Sequence, residues 1–270
     1  VIYAGGAFTS IGTNTRNRLA AIDTAGGATV WNPNANGLVN ALTVDTSTVY
    51  VGGAFTALGG VTRNQVAAIG TDGVLGAWNP NSNGVVNALA LNAGIIYVGG
   101  GFTSMGGITR NRLAAIDTAG VLITAWNPDA GANINTIGVD GTTATVYVGG
   151  DFVELGSSTI TPTIRNRIAA IGTDGVIAAW DPNADLPVST LLIDAGLVYV
   201  GGDFTSIGAD LRPNHLAVID ASDGLSINWL PNNVHLTPKS LAIDGTTIYV
   251  GGITEFSNGF VTTDINGVVR

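Results

Sequence analysis

Asp151 and Asp203 are the two acidic residues of this chain that break a recurring pattern. Each follows a Val-Gly-Gly triplet, where earlier copies of the same phrase carry Ala54 or Gly101. Glu154, Asp181, Asp185 and Asp210 lie nearby in the sequence. A hard cation such as Ca²⁺ takes several oxygen ligands, so Asp151 and Asp203 are the candidate metal ligands, with Ca²⁺ the candidate ion. The same two carboxylates are the only pair on which acid–base chemistry of a polysaccharide lyase or hydrolase can be drawn. Solvated surface charge is the competing reading, because no Asp-x-Asp-x-Asp-Gly loop is present.

Other chemistries find no foothold. His215 and His235 are single, without the His-Glu-x-x-His spacing of a zinc site. Gly-x-Ser-x-Gly is absent, so no Ser/His/Asp set follows from spacing. The chain has no Cys, which excludes disulfides, thiol catalysis and Cys-ligated metals. Its glycine-rich segments open no helix, so they build no phosphate cradle. No catalytic residue is assigned. The net charge of −9 argues against nucleic acid, which needs a basic face. No apolar run reaches the ~18 residues that span a bilayer, which argues against membrane insertion.

Two further features invite a binding role. Arg16, Arg63, Arg110, Arg165 and Arg212 recur at one position and would form an anion-binding row. The plainer reading is a repeated structural contact, each guanidinium holding loop carbonyls or a neighbouring carboxylate. The second is a length variation. Phe152 and Arg165 are 13 positions apart, against 8 for Phe55 and Arg63. The extra residues include Ser157, Ser158, Thr159, Ile160 and Thr161. Insertions in repeat proteins fall in loops on one face, often the binding face, so this segment is the candidate partner-binding loop. A neutral length variant is the alternative.

The elements that carry these residues follow from periodicity. Tyr recurs at 3, 50, 97, 147, 199 and 249, each time followed by Val-Gly-Gly or Ala-Gly-Gly. Trp recurs at 31, 78, 126, 180 and 229, and Phe at 8, 55, 102, 152 and 204. Within one period, Val85–Leu91 reads as a strand, Asn92–Gly94 as a tight turn and Ile95–Val98 as the hairpin partner. A loop over Gly106–Asn111 follows, then a third strand, Leu113–Asp117, and a fourth, Val121–Trp126. Short β-branched runs between Gly, Asn and Asp turns are strand signals, and no segment keeps a 3.6-residue period. The Asp and Asn residues at strand ends read as turn formers.

A four-stranded antiparallel unit repeated every 47–52 residues predicts an all-β chain, folded as one β-propeller domain over residues 1–270. Stacked blades bury both faces of each sheet, and the recurring aromatics fill the space between them. The chain opens on a second strand, Val1–Tyr3, so the first blade lacks its inner strand. The repeat starting at Tyr249 is degenerate and ends in a hairpin over Asn266-Gly267. Six blades are expected, with seven as the alternative. The absence of an initiator Met or signal sequence reads as a processed or excised segment.

The columns YVGGxFTxxGGxxRNxLAAIDTxG and WNPN resemble the delta-sixty repeat family of predicted β-propellers, over essentially the whole chain and more weakly after Gly252. The resemblance implies a secreted or surface-anchored bacterial or archaeal protein with a scaffold or binding role. It brings no catalytic residue. Composition agrees: only 11% of residues are charged and there is a single Lys, Lys239, which leaves a surface of Thr, Asn, Ser and Gly. The expected function is therefore a non-enzymatic extracellular module, structural, adhesive or protein-binding, whose partners are other proteins or copies of itself. A carbohydrate-active enzyme and a metal-stabilised propeller that binds a ligand such as a glycan are the alternatives.

Overall fold

The computed structural model describes residues 1–159, 161–212, 215–229, 236–253 and 258–264. Every regular element among them is a β-strand. Val1–Asn127 forms one compact unit and Pro128–Arg270 another.

The first unit holds three main antiparallel sheets. β1 (Ile2–Gly5) pairs with β2 (Leu19–Ile22). β3 (Val39–Asp45), β4 (Thr48–Gly53) and β5 (Val66–Gly70) follow in order, then β6 (Val86–Asn92), β7 (Ile95–Gly100) and β8 (Leu113–Asp117). The second unit repeats the plan. It contains β9 (Ile134–Asp140), β10 (Thr145–Gly150) and β11 (Ile168–Gly172). Next come β12 (Val188–Asp194), β13 (Leu197–Gly202), β14 (Leu216–Asp220) and β15 (Ser226–Ile227). The last sheet is β16 (Thr237–Asp244), β17 (Thr247–Ile253) and β18 (Asn258–Asp264).

Local sequence explains the sheets. In β4, β7, β10 and β13 every residue after the first is buried, as a strand covered on both faces requires. Ala93 (φ 48) and Gly94 (φ 77) are both left-handed, the signature of the tight turn whose twist matches a hairpin. All five first strands carry a bulge at the same place, between Val39/Ala41, Val86/Ala88, Ile134/Thr136, Val188/Thr190 and Pro238/Ser240. The second Gly of each Gly-Gly pair lies against that kink. A Cβ on Gly100 would sit 2.1 Å from the carbonyl oxygen of Val85. Gly100→Ala is therefore expected to destabilise the chain by about 1–3 kcal/mol, as overpacking against backbone does; urea denaturation measures it.

Two sequence expectations need correction. The fourth strand is mostly a single residue pair: Ile22↔Ala28, Ile69↔Leu75 and Ile116↔Leu122 in the first unit, Ile171↔Ile177 in the second. Only β15 extends it to two residues. An arginine of the same repeat takes a carbonyl at the end of this short pairing. Arg63 Nη2 donates to Gly76 O at 2.8 Å, and two residues later the chain turns Trp78 into the core. The supposed loop after the second strand holds a small hairpin, Ser104–Met105 with Ile108–Thr109. Equivalent hairpins occur in the repeats that start at Tyr3, Tyr50, Tyr147 and Tyr199. The Asn266-Gly267 hairpin lies outside the described residues.

The core lies between successive sheets. In the first unit Trp78, from the strand segment after β5, packs with Tyr50, Phe102, Met105 and Leu89. Its ring meets Tyr50 edge-to-face at 5.1 Å, and its Nε1 donates to Asp117 O at 2.9 Å, at the end of β8. Trp31 does the same with Tyr3 and Gly70 O. In the second unit Trp180 repeats the arrangement with Tyr147 and Asp220 O. Each of these indoles thus ties its own repeat to the next.

Burial raises the pKa of Tyr50, Tyr97, Tyr147 and Tyr199, with nearby Asp carboxylates adding to the effect at all but Tyr97. The fold therefore favours the neutral phenol. The unfolded chain ionises first, at about pH 10. Stability from these four groups is complete below about pH 10 and is lost as pH rises beyond it. Denaturant titrations at rising alkaline pH should show the loss, and in the folded chain the tyrosinate absorbance of these four groups should appear at higher pH than in the unfolded chain.

Candidate functional site

The recurring arginines are built into the framework. Arg16, Arg63, Arg110 and Arg165 each give one Nη to the carbonyl of the preceding residue at 2.7–2.9 Å. The other Nη goes to a carbonyl 13 or 14 residues on, at 2.5–2.9 Å. Arg212 makes the same clamp to Ile227 O at 3.1 Å and adds Asp210. Arg110 and Arg212 are buried, and burial lowers the Arg110 pKa. These guanidiniums are not presented to an anion.

A second column was not visible as such in the sequence. Arg18, Gln65, Arg112, Arg167 and His215 all have φ between 58 and 67, a conformation uncommon for residues other than glycine. Each precedes the third strand. Arg18 Nη1 donates to Ala35 O at 3.0 Å, Arg167 Nη1 to Asp151 O, and His215 Nδ1 lies 3.0 Å from Phe204 O. The lone His215 is thus a variant of a structural position.

The insertion does something specific. Asp129 occupies the column of Asn34, Asn81 and Asn183. There the asparagine Oδ1 accepts from Asn17, Asn64 and Asn166, each at 2.7 Å. Asp129 is buried, at 3% exposure. Ser157 Oγ donates to its Oδ1 at 3.0 Å, and the Ser158 N–H to its Oδ2 at 2.7 Å. The Ser158 hydroxyl also donates to Oδ2. Thr159 folds back on Gly156 O with both its N–H and its hydroxyl. Of the proposed binding loop, Ser157 and Ser158 wrap a carboxylate, Thr159 closes the turn and Thr161 is exposed. Ile160 lies outside the described residues. Sequence reasoning missed Asp129, although a charged residue replaces Asn in the repeat just before the one that carries the insertion.

Asp151 and Asp203 stand at the bulged ends of the sheets. Asp151 Oδ1 accepts from Asn135 Nδ2 at 3.0 Å. Asn135 is the bulge residue of β9, and it also donates to Val188 O at 3.2 Å. Asp203 Oδ1 faces Lys239 Nζ at 3.4 Å. Lys239 is the bulge residue of β16, and it also donates to Ser189, the bulge residue of β12, at 3.0 Å. In the first unit Asn40 donates to Asn87 Oδ1 at 3.3 Å in the same way. Bulge side chains thus link consecutive first strands, and the two aspartates each extend one such link. Among the described residues no three His, Asp or Glu side chains gather to hold a metal.

The neighbouring carboxylates are also engaged. Asp181 faces Arg165 at 3.7 Å. Burial alone would raise the Asp185 pKa, but the Ser206 and Thr205 N–H groups and the Thr205 hydroxyl outweigh it and hold the group below the usual range. Hydroxyls in the first place lower Asp140, through Thr142, and Asp220, through Ser222. These are turn carboxylates favoured in the charged form, the reverse of a poised general acid.

No family model matches the chain, and no curated protein matches it. Among solved structures, the crystal structure of the computationally designed Ika4 protein is similar at a TM-score of 0.47 and 11% identity, over 68% of this chain and 92% of that one.

Proposed function

We propose that the chain is a non-enzymatic β-propeller of six blades. It acts as a structural, adhesive or protein-binding module of a larger assembly outside the cell or on its surface. The observation that carries this reading is the internal use of its repeated polar and aromatic groups. Trp78 and Trp180 spend their N–H on the next repeat. The recurring arginines clamp carbonyls of their own repeat. Asn36 and Asn83 hold the backbone of residues 56–57 and 103–104. Such a molecule has few groups left for chemistry and many for holding shape. The composition, poor in charge and rich in Thr, Asn and Gly, supports an exported surface.

The test sets the full chain against a panel of acidic and neutral polysaccharides, with and without millimolar Ca²⁺, read as new reducing ends and as unsaturated uronate absorbance. No product is expected, and the melting temperature should be the same in Ca²⁺ and in chelator. Turnover abolished by Asp151→Asn or Asp203→Asn would replace this reading with an enzyme. A large Ca²⁺-dependent stabilisation would replace it with the metal-stabilised alternative.

A further inference from the structure

The left-handed column carries a neutral amide in one repeat. Gln65 stands where other repeats have Arg18, Arg112, Arg167 and His215, and its φ of 62 matches the 64 of Arg18. The bridge that follows differs as well: Ser82 stands where its counterparts are Ala35, Ala130 and Ala184. A cleft of about 350 Å³ lies here, lined by Asn64, Gln65, Asn81, Ser82, Asn83 and Ser104, a volume within the range of small-ligand pockets. We propose that this cleft binds a neutral sugar residue. The proposal deepens the adhesive reading above by naming a ligand class, and it rests on that reading only for its role in the assembly. Failure of a sugar titration would leave the structural role standing, whereas turnover of a polysaccharide would end that role without touching the cleft.

The walls are held by the fold itself. Arg18 Nη1 donates to Ala35 O at 3.0 Å. Gln65 does the same task with a shorter side chain, its amide donating to Ser82 O at 2.5 Å and to Asn64 O at 3.3 Å. The Ser82 hydroxyl is buried and donates to Gly84 O at 2.7 Å. Asn83 Oδ1 accepts from the N–H groups of Thr103 and Ser104, each at 2.9 Å, and Asn83 Nδ2 donates to Thr103 Oγ1 at 2.9 Å. These groups are fixed before any ligand arrives, which lowers the ordering cost of binding.

The remaining groups set the ligand's chemistry. No charged side chain lines the cleft, so an ion entering it would give up water without gaining a counter-charge. Asn64 Nδ2 donates to Asn81 Oδ1 at 2.7 Å. The other halves of these two amides, Asn64 Oδ1 and Asn81 Nδ2, have no partner among the described residues. One is an acceptor and the other a donor, and a hydroxyl is both. Neighbouring hydroxyls on a sugar ring would satisfy the pair together. The Ser104 hydroxyl, also without a partner among the described residues, adds a group of either kind. Water fills such a cleft when it is empty, and a polyol replaces water bond for bond where an apolar ligand does not. The lining holds no carboxylate or imidazole, so the sugar is held and not cleaved.

The experiment titrates the methyl glycosides of glucose, galactose and mannose into the ¹⁵N-labelled full chain at millimolar concentration and reads side-chain amide resonances. Shifts at Asn64 and Asn81 are expected with at least one of them. Gln65→Arg installs the residue of position 18, whose φ is the same; it should keep the parent melting temperature and weaken binding at least about tenfold. Asn81→Asp keeps the acceptor that Asn64 uses and removes the free donor, and aspartate already stands in this column at position 129. It too should weaken binding about tenfold, whereas Asn34→Asp, the same change in the first repeat, should leave binding unchanged. A trisaccharide of the best sugar separates two sources: equal affinity marks a free sugar or a chain end, tighter affinity a glycan that runs past the cleft, and either supports the proposal. No shift at Asn64 and Asn81 with any of the sugars overturns it. So does parent-like binding by both Gln65→Arg and Asn81→Asp, or tighter binding of methyl glucuronide than of methyl glucoside.

Discussion

Trp78→Ala lowers the stability of the chain by about 3–5 kcal/mol, the range for removing a large buried aromatic. Three losses add. The indole is 7% exposed and fills the space between two sheets. Its edge-to-face contact with Tyr50 disappears. Asp117 O loses the Nε1 donor at 2.9 Å, and a buried carbonyl without its donor is itself unfavourable by about 1–3 kcal/mol. Trp78→Phe restores much of the volume but not the donor, so its cost should fall between the parent and the alanine variant. Val74→Ala is the contrast in the same repeat: Val74 is 65% exposed, and its truncation should change stability by less than about 0.5 kcal/mol. Urea unfolding followed by far-UV circular dichroism gives all three values. A Trp78→Ala variant as stable as the parent would remove the basis for a core shared between repeats.

Replacing Ser157 and Ser158 together with alanine should cost roughly 3 kcal/mol, two hydroxyl bonds to a charged group at about 1.5 kcal/mol each. Both hydroxyls serve the buried Asp129 carboxylate. The decisive comparison is made in the Asp129→Asn background. Asparagine is the residue of this column at positions 34, 81 and 183, and a neutral amide asks less of the loop. The same double substitution should then cost less than about 1 kcal/mol. A double-mutant cycle reports the difference as a coupling energy. Equal losses in both backgrounds would mean that the insertion does not exist to hold Asp129.

Much of this was legible in the residues themselves. The Tyr, Trp and Phe columns, the Gly-Gly pairs and the Asn and Asp turns announced the strands, because pleat alternation and turn chemistry act over a few residues. Strand order within each sheet followed from hairpin length. The shortened fourth strand was hidden, and so was the arginine clamp beside it, which joins Arg63 to a carbonyl 13 positions away. The left-handed column was hidden too: Arg, Gln and His do not advertise positive φ as Gly or Asn do. At the candidate site the loop stood out by its length, whereas the bonds of Ser157 and Ser158 to Asp129 had no signal in the length itself. Asp151 and Asp203 were recognised as exceptions, yet their neighbours Asn135 and Lys239 come from bulges that only strand pairing reveals.

The indole bonds have a mechanical consequence. Within each unit an indole links its own repeat to the one that follows, at 31 to 70 and 78 to 117 in the first and 180 to 220 in the second. Tension applied along the chain meets these links in series rather than all at once. Extension should therefore proceed in steps, each freeing one period of 47–52 residues, or about 160–190 Å of slack. A chain linked this way would absorb load by yielding in instalments.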